Sequence, residues 1–99
     1  MFRYKSKIGK EIELTNERLG HILTSHPELE EHLDKFGKVL LEPSEIRVSP
    51  TDHNVLLFHK SFASIGEGKY LRIGVKINER AFILTAYLTR RLAGEIYEI

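Results

Sequence analysis

Residues 70–89 read YLRIGVKINERAFILTAYLT, and their spacing decides what kind of domain this is. Leu71, Ile73, Val75 and Ile77 recur at every second position, with Tyr70, Arg72, Gly74 and Lys76 between them. A period of two belongs to a strand with one buried face, because successive side chains of a strand point to opposite sides of the sheet. The run Ala81–Thr89 repeats the pattern, Phe82, Leu84, Ala86 and Leu88 alternating with Ala81, Ile83, Thr85, Tyr87 and Thr89. Only Asn78-Glu79-Arg80 separates the two runs, so they pair as antiparallel neighbours. With their apolar faces aligned, Tyr70, Arg72, Lys76, Thr85, Tyr87 and Thr89 share one polar face, which holds two cations, two phenols and two hydroxyls. Exposed sheet faces also favour Thr, Tyr, Lys and Arg by propensity alone, so the face by itself does not separate a site from a solvated surface.

Upstream, Glu45–Val48 and Val55–Ser61 have the same β-branched and aromatic character, and SPTDHN and FASIGEG between the runs carry turn chemistry. With Lys69–Ile77 and Ala81–Thr89 they make a four-stranded antiparallel meander, and Glu95–Ile99 is a candidate last edge strand. Before Ser44 the period is helical. Leu14-Thr15-Asn16-Glu17 reads as a helix start, with Thr15 as cap and Glu17 near the positive dipole end, and the first helix covers Asn16–Ser25. His26-Pro27 interrupts it, because a residue before proline is pushed out of the α region while proline suits a helix's first turn. Leu29, Leu33, Phe36 and Leu40 then mark the buried stripe of a second amphipathic helix that Pro43 ends. Phe2–Lys7 and Glu11–Leu14 flank Gly9-Lys10 as an N-terminal hairpin. The expected fold is α+β: the hairpin and two helices packed on an antiparallel four-stranded sheet, one domain over residues 1–99.

Ninety-nine residues suit a single core, and 41% hydrophobic with 29% charged residues is the composition of a globular domain rather than a disordered chain. No apolar run approaches the roughly 20 residues that span a bilayer, and MFRYKSKIGKEIE lacks the apolar stretch of a signal peptide, so a cytoplasmic protein without a membrane partner is expected. The absence of cysteine removes disulfides, thiolate metal sites and thiol nucleophiles together. Net charge is +1, but residues 28–45 hold six acids against two bases while residues 46–99 hold eight bases against five acids, so one acidic helix masks a basic remainder.

The histidines divide by position. His21 lies about 200° around the first helix from Leu19, away from the buried stripe of Leu19, Ile22 and Leu23. His26 would join that stripe, but Pro27 breaks the register; it reads equally as a capping or packed residue at a helix junction. Ser25 and Glu28 form S-x-x-E, a capping box. His32, His53 and His59 read as helix-side, turn and strand residues without chemistry; His59 and Lys60 point to opposite faces, and which of them joins the polar surface depends on register. HILTSH is not H-E-x-x-H and no metal site or cofactor is expected; Gly66-Glu67-Gly68 precedes a strand rather than a helix, and G-x-S-x-G is missing.

The string EIELTNERLGHILTSHPEL at residues 11–29, with its H-I-x-x-x-H-P-E, followed by GKYLRIGVK at 68–76 and AFILTAYLT at 81–89, resembles the small phage-associated nucleases of the barnase, EndoU, colicin and RelE (BECR) superfamily. Leu19 and Ser25 depart from its pattern, standing where a larger aromatic and a basic residue are common. The resemblance implies a RelE- or barnase-like sheet domain that cleaves RNA without metal, often as a toxin restrained by an antitoxin. Carried over by position, His21 and His26 match the motif histidines, Glu28 the acid after the proline, and Thr85, Tyr87 and Thr89 the T-A-Y-x-T strand. The chemistry expected is attack of the ribose 2′-OH on its phosphorus, with His21 and His26 transferring protons and Lys76 and Arg72 neutralising the phosphorane. Thr85, Thr89 and Tyr87 would donate hydrogen bonds, Tyr70 or Tyr87 would stack a base, and Arg90 and Arg91 would extend the phosphate surface. The rival readings are a non-catalytic RNA- or protein-binding module using Lys76, Arg72, Arg90 and Arg91, and an interaction domain that presents its acidic second helix. RNA is the expected substrate, and an acidic antitoxin the expected protein partner.

Overall fold

Thr15 caps as its position dictates. Its Oγ1 accepts from the Arg18 amide at 3.1 Å and opens α1 (Asn16–Ser25) in the computed structural model, which describes residues 1–98. Before it, β1 (Phe2–Lys5) and β2 (Glu11–Leu14) form the hairpin, turned through Gly9 at φ +83°. After it come a 3₁₀ helix over Pro27–Lys35, the short α2 (Phe36–Leu41), and β3 (Glu45–Val48), β4 (Val55–Lys60), β5 (Tyr70–Ile77), β6 (Ala81–Thr89) and β7 (Glu95–Ile96). The strands make one sheet in the order β1-β2-β6-β5-β4-β3-β7, antiparallel except where β2 runs parallel to β6. The fold is α+β, with a seven-stranded sheet in place of the four strands expected. β3 to β6 form the meander; the hairpin joins its β6 edge through a parallel contact, and β7 closes the β3 edge. Of the expected last strand, Ile99 lies outside the described residues.

The second helix differs from expectation in kind. Residues 27–35 wind as a 3₁₀ helix, in which side chains three apart eclipse, so Leu29 and His32 are buried and Leu33 only half so. Pro27, lacking an amide hydrogen, leaves Leu29 as an early donor, and it bonds to the His26 carbonyl at 3.0 Å. Ser25 does not cap: His26 closes α1 through its amide to the Ile22 carbonyl at 2.8 Å, and no side chain caps the 3₁₀ helix. The capping box therefore does not form.

A bulge corrects the faces read for β6. Gly74 pairs with Thr85 but Val75 pairs with Ile83, so Leu84 is the extra residue. Ala81 and Ile83 consequently turn into the core with Ala86, while Phe82 moves to the opposite face. Beyond the bulge, Thr85, Tyr87 and Thr89 keep the face that alternation gave them. The helices cover one face, where Leu29, Phe36, Val39 and Leu40 join Ile12, Leu14, Phe58, Leu71, Ile73 and Val75 in one cluster. The other face carries no helix. No helix among the described residues is long and apolar enough to cross a membrane.

Phe36 is wholly buried, whereas Leu41, at the end of the same helix, is 45% exposed. Phe36→Ala should cost about 3–5 kcal/mol in urea unfolding, and Leu41→Ala should change stability by less than about 1 kcal/mol.

Candidate functional site

The open face is organised in cross-strand rows set by the register. One row runs Tyr87, Arg72, His59, Glu45; the next runs Thr85, Gly74, Leu57, Arg47; a third runs Glu13, Phe82, Lys76, Val55. The middle row lacks a side chain at Gly74, where an added Cβ would sit 3.1 Å from Thr85 Cγ2. A cavity of about 430 Å³ opens here, lined by Val55, Leu57, Arg72, Thr85 and Tyr87 from the sheet, by Thr51 and Asp52 from the β3–β4 turn, and by Ala93.

Arg72 forms its floor and is only 7% exposed. Its Nε donates to His59 Nε2 at 2.8 Å, one terminal nitrogen donates to the Tyr87 hydroxyl oxygen at 2.9 Å, and the other to the Arg91 carbonyl at 2.5 Å. All three acceptors are neutral, and among the described residues no carboxylate forms an ion pair with Arg72. A buried cation without a counter-ion is costly, and an entering oxyanion would offset that cost. Because Arg72 donates to the Tyr87 oxygen, the phenolic proton is left free to be donated elsewhere.

His59 is wholly buried beneath this arginine. Its pKa is pushed down from 6.5 to about 4, chiefly by burial and then by the Arg72 charge, which Glu45 and the Leu57 carbonyl oppose only in part. The imidazole is therefore neutral and, accepting at Nε2, carries its hydrogen on Nδ1, which meets no acceptor in hydrogen-bonding geometry. His59 also meets Tyr70 edge to face, with ring centroids 6.2 Å apart and the planes nearly perpendicular.

His26 reaches the same cluster from the helical side. Its ring stacks on Tyr87 with centroids 5.5 Å apart and 28° between planes, and Glu28 Oε1 lies 3.6 Å from its Nδ1. Tyr87 thus stands between His26 and the guanidinium, whose Cζ lies 5.4 Å from the phenol centroid. The arrangement can bind an anion at Arg72, donate a proton from Tyr87, and exchange a proton at an imidazole 36% open to solvent.

Of the residues expected from sequence, the fold gathers His26, Tyr70, Arg72, Thr85 and Tyr87. Thr89 pairs across from Tyr70 and accepts from the Arg91 amide at 3.1 Å. Lys76 shares the face but is held by Asp52, whose carboxyl that contact and the Asn54 amide hold below its usual range. Arg90 is turned to the Glu67 carbonyl at 3.1 Å, and Arg91 contributes its carbonyl rather than its exposed side chain. His21 is exposed on α1 and forms no hydrogen bond or ion pair among the described residues. Sequence reasoning passed over His59 and Asp52; only the β4–β5 register, which sets His59 opposite Arg72, reveals the former. No three His, Asp or Glu side chains among the described residues are grouped to hold a metal ion.

Fold and site together define a small α+β domain with an arginine-floored pocket on the sheet face opposite its helices. Set against known proteins, the chain matches no family model, no curated protein and no solved structure.

The His59 shift fixes a pH dependence. The unfolded state takes up the proton first as pH falls, so this group's stabilising contribution is complete above about 6.5 and is lost on the way down to about 4, on the order of 3 kcal/mol in all. Urea midpoints measured across that window should fall steeply for the native chain and less steeply for His59→Gln, which keeps an acceptor for Arg72 but does not titrate.

Proposed function

We propose that this domain is a metal-independent endoribonuclease of the RelE- and barnase-like kind, acting in the cytoplasm. The observation that carries the reading is the buried Arg72, without an acidic partner among the described residues, at the floor of a pocket whose wall bears Tyr87 and, stacked upon it, His26. In this reading a phosphodiester oxygen sits against Arg72, with the Tyr87 phenol and the Thr85 hydroxyl donating to the oxygens on which charge builds. His26 takes the proton from the ribose 2′-OH as that oxygen attacks phosphorus. The bond to the 5′-oxygen breaks, that oxygen takes up a proton from His21 or from solvent, and a 2′,3′-cyclic phosphate end remains. Tyr70, at the margin of the face, offers a ring for a splayed base. The cationic floor would equally receive a carboxylate, so an acidic antitoxin that inserts one against Arg72 is the protein partner the reading implies.

Purified protein incubated with mixed RNA and a chelator should leave cyclic phosphate ends, and DNA should survive because it lacks the attacking hydroxyl. His26→Ala should lower the rate about a hundredfold or more with little change in stability. His21→Ala in parallel assigns the leaving-group proton: an equal loss gives it to His21, and retained activity gives it to solvent. Salt-sensitive RNA binding with no product would replace the nuclease by a non-catalytic binding module on the same face.

A further inference from the structure

The chain that leaves β6 takes an unusual route. β6 and β7 are separated in the sheet by β5, β4 and β3, yet only residues 90–94 connect them. On a flat sheet, four inter-strand steps and the five-residue offset along the strands between the levels of Thr89 and Glu95 make roughly 25 Å, more than the about 22 Å that the six Cα steps reach, so the sheet curves to let the connection close. The connection has little slack, and it crosses the open face, since Ala93 lines the pocket and Arg72 donates to the Arg91 carbonyl. Its far end is hooked by Arg47, which donates to the Gly94 carbonyl at 2.8 Å. Gly94 itself has φ +85°, and a Cβ there would collide with the Val48 carbonyl.

We propose that residues 90–94 are a self-ligand strap: the Arg91 carbonyl occupies a donor of Arg72 in the anion site, and a bound oxyanion replaces it, so the site is regulated by its own chain. This rests on the reading of Arg72 as an anion-binding group. The bond to the Arg91 carbonyl has an ionised donor and a neutral acceptor, whereas a phosphate or carboxylate oxygen adds the attraction of opposite charges at a site largely shielded from water. The competition at Arg72 therefore favours the oxyanion. The other anchors are near its ends: Arg90 reaches the Glu67 carbonyl and the Arg91 amide the Thr89 hydroxyl, while β7 pairs over two residues with β3 and adds the Tyr97 amide to the Ile46 carbonyl at 2.8 Å. Segments with so few anchors open at low free energy without unfolding the domain. Asp52, which lines the pocket, forms an ion pair with Lys76 on the same face, so that cation too is engaged by the protein itself.

The test uses a short single-stranded deoxyribose oligonucleotide, which offers phosphates but cannot be cleaved by 2′-OH attack. Amide hydrogen exchange is followed in residues 90–97 of the full chain, with and without the oligonucleotide, and binding is measured by fluorescence anisotropy. Binding should speed exchange in 90–97 several-fold while β4 and β5 are unchanged or slowed. Gly94→Val, which unhooks the strap without altering Arg72, should bind about tenfold more tightly; Arg47→Met, which removes the other hook, serves the same purpose if Gly94→Val does not fold. Binding that leaves 90–97 unchanged or more protected overturns the proposal, as does a released strap with unaltered affinity. Absence of binding by every variant overturns it together with the anion site. RNA cleavage is scored separately: a strap that opens on a protein that cuts no RNA preserves this inference and rejects the nuclease, and a nuclease with a static strap does the reverse.

Discussion

The contact between Arg72 Nε and His59 Nε2 is the constraint around which the open face is built. A guanidinium cannot shed its charge, so it is His59 that must remain neutral for the two to meet at 2.8 Å with both buried. Burial and the arginine's own field enforce that state. The imidazole then fixes the plane of the guanidinium, which directs its terminal nitrogens to Tyr87 on one neighbouring strand and to the crossing chain at Arg91. The cost is an Nδ1 hydrogen that finds no well-aligned acceptor among the described residues, eased in part by the Leu57 carbonyl. Neither group would be placed there for packing alone, since an apolar pair of similar volume would avoid both penalties.

The two faces of the sheet do different work. The helical face carries the core, and the strands can present a buried polar network on the other only because that core already holds them in register. The bulge at Leu84 is the joint between these demands. It lets Ala81, Ile83 and Ala86 all face the helices while Tyr87 still meets Arg72. Without it the later half of β6 would turn its phenol and hydroxyls inward. His26 links the faces: it ends α1, and its ring leaves the helix to stack on Tyr87.

Much of this was legible in the chain. The class, the meander, the first helix and its Thr15 cap follow from local periodicity and from a hydroxyl at the right place, and the structure has them. What local pattern does not encode is pairing at a distance. The hairpin and a last edge strand were themselves legible, but not that the hairpin joins the sheet, because the β2–β6 contact covers only two residue pairs. The 3₁₀ winding of residues 27–35 was hidden because Leu29, Leu33 and Phe36 also fit an α spacing, and the capping box failed because His26 ends one helix as Pro27 begins the next. Arg72, Tyr87 and Thr85 were placed on one face from alternation alone. His59 was not, because strand alternation leaves two answers and only the partner strand chooses between them.

Long-range proton–nitrogen NMR of the His59 ring tests the central relation most directly, since it reports which nitrogen carries the hydrogen. The ring should be neutral, with its hydrogen on Nδ1 and a bare, accepting Nε2, unchanged from pH 8 down to about 5. A ring protonated at Nε2, or one that titrates near its ordinary 6.5, would contradict that relation, for Arg72 would then have no acceptor there and the floor of the pocket would be organised by something else.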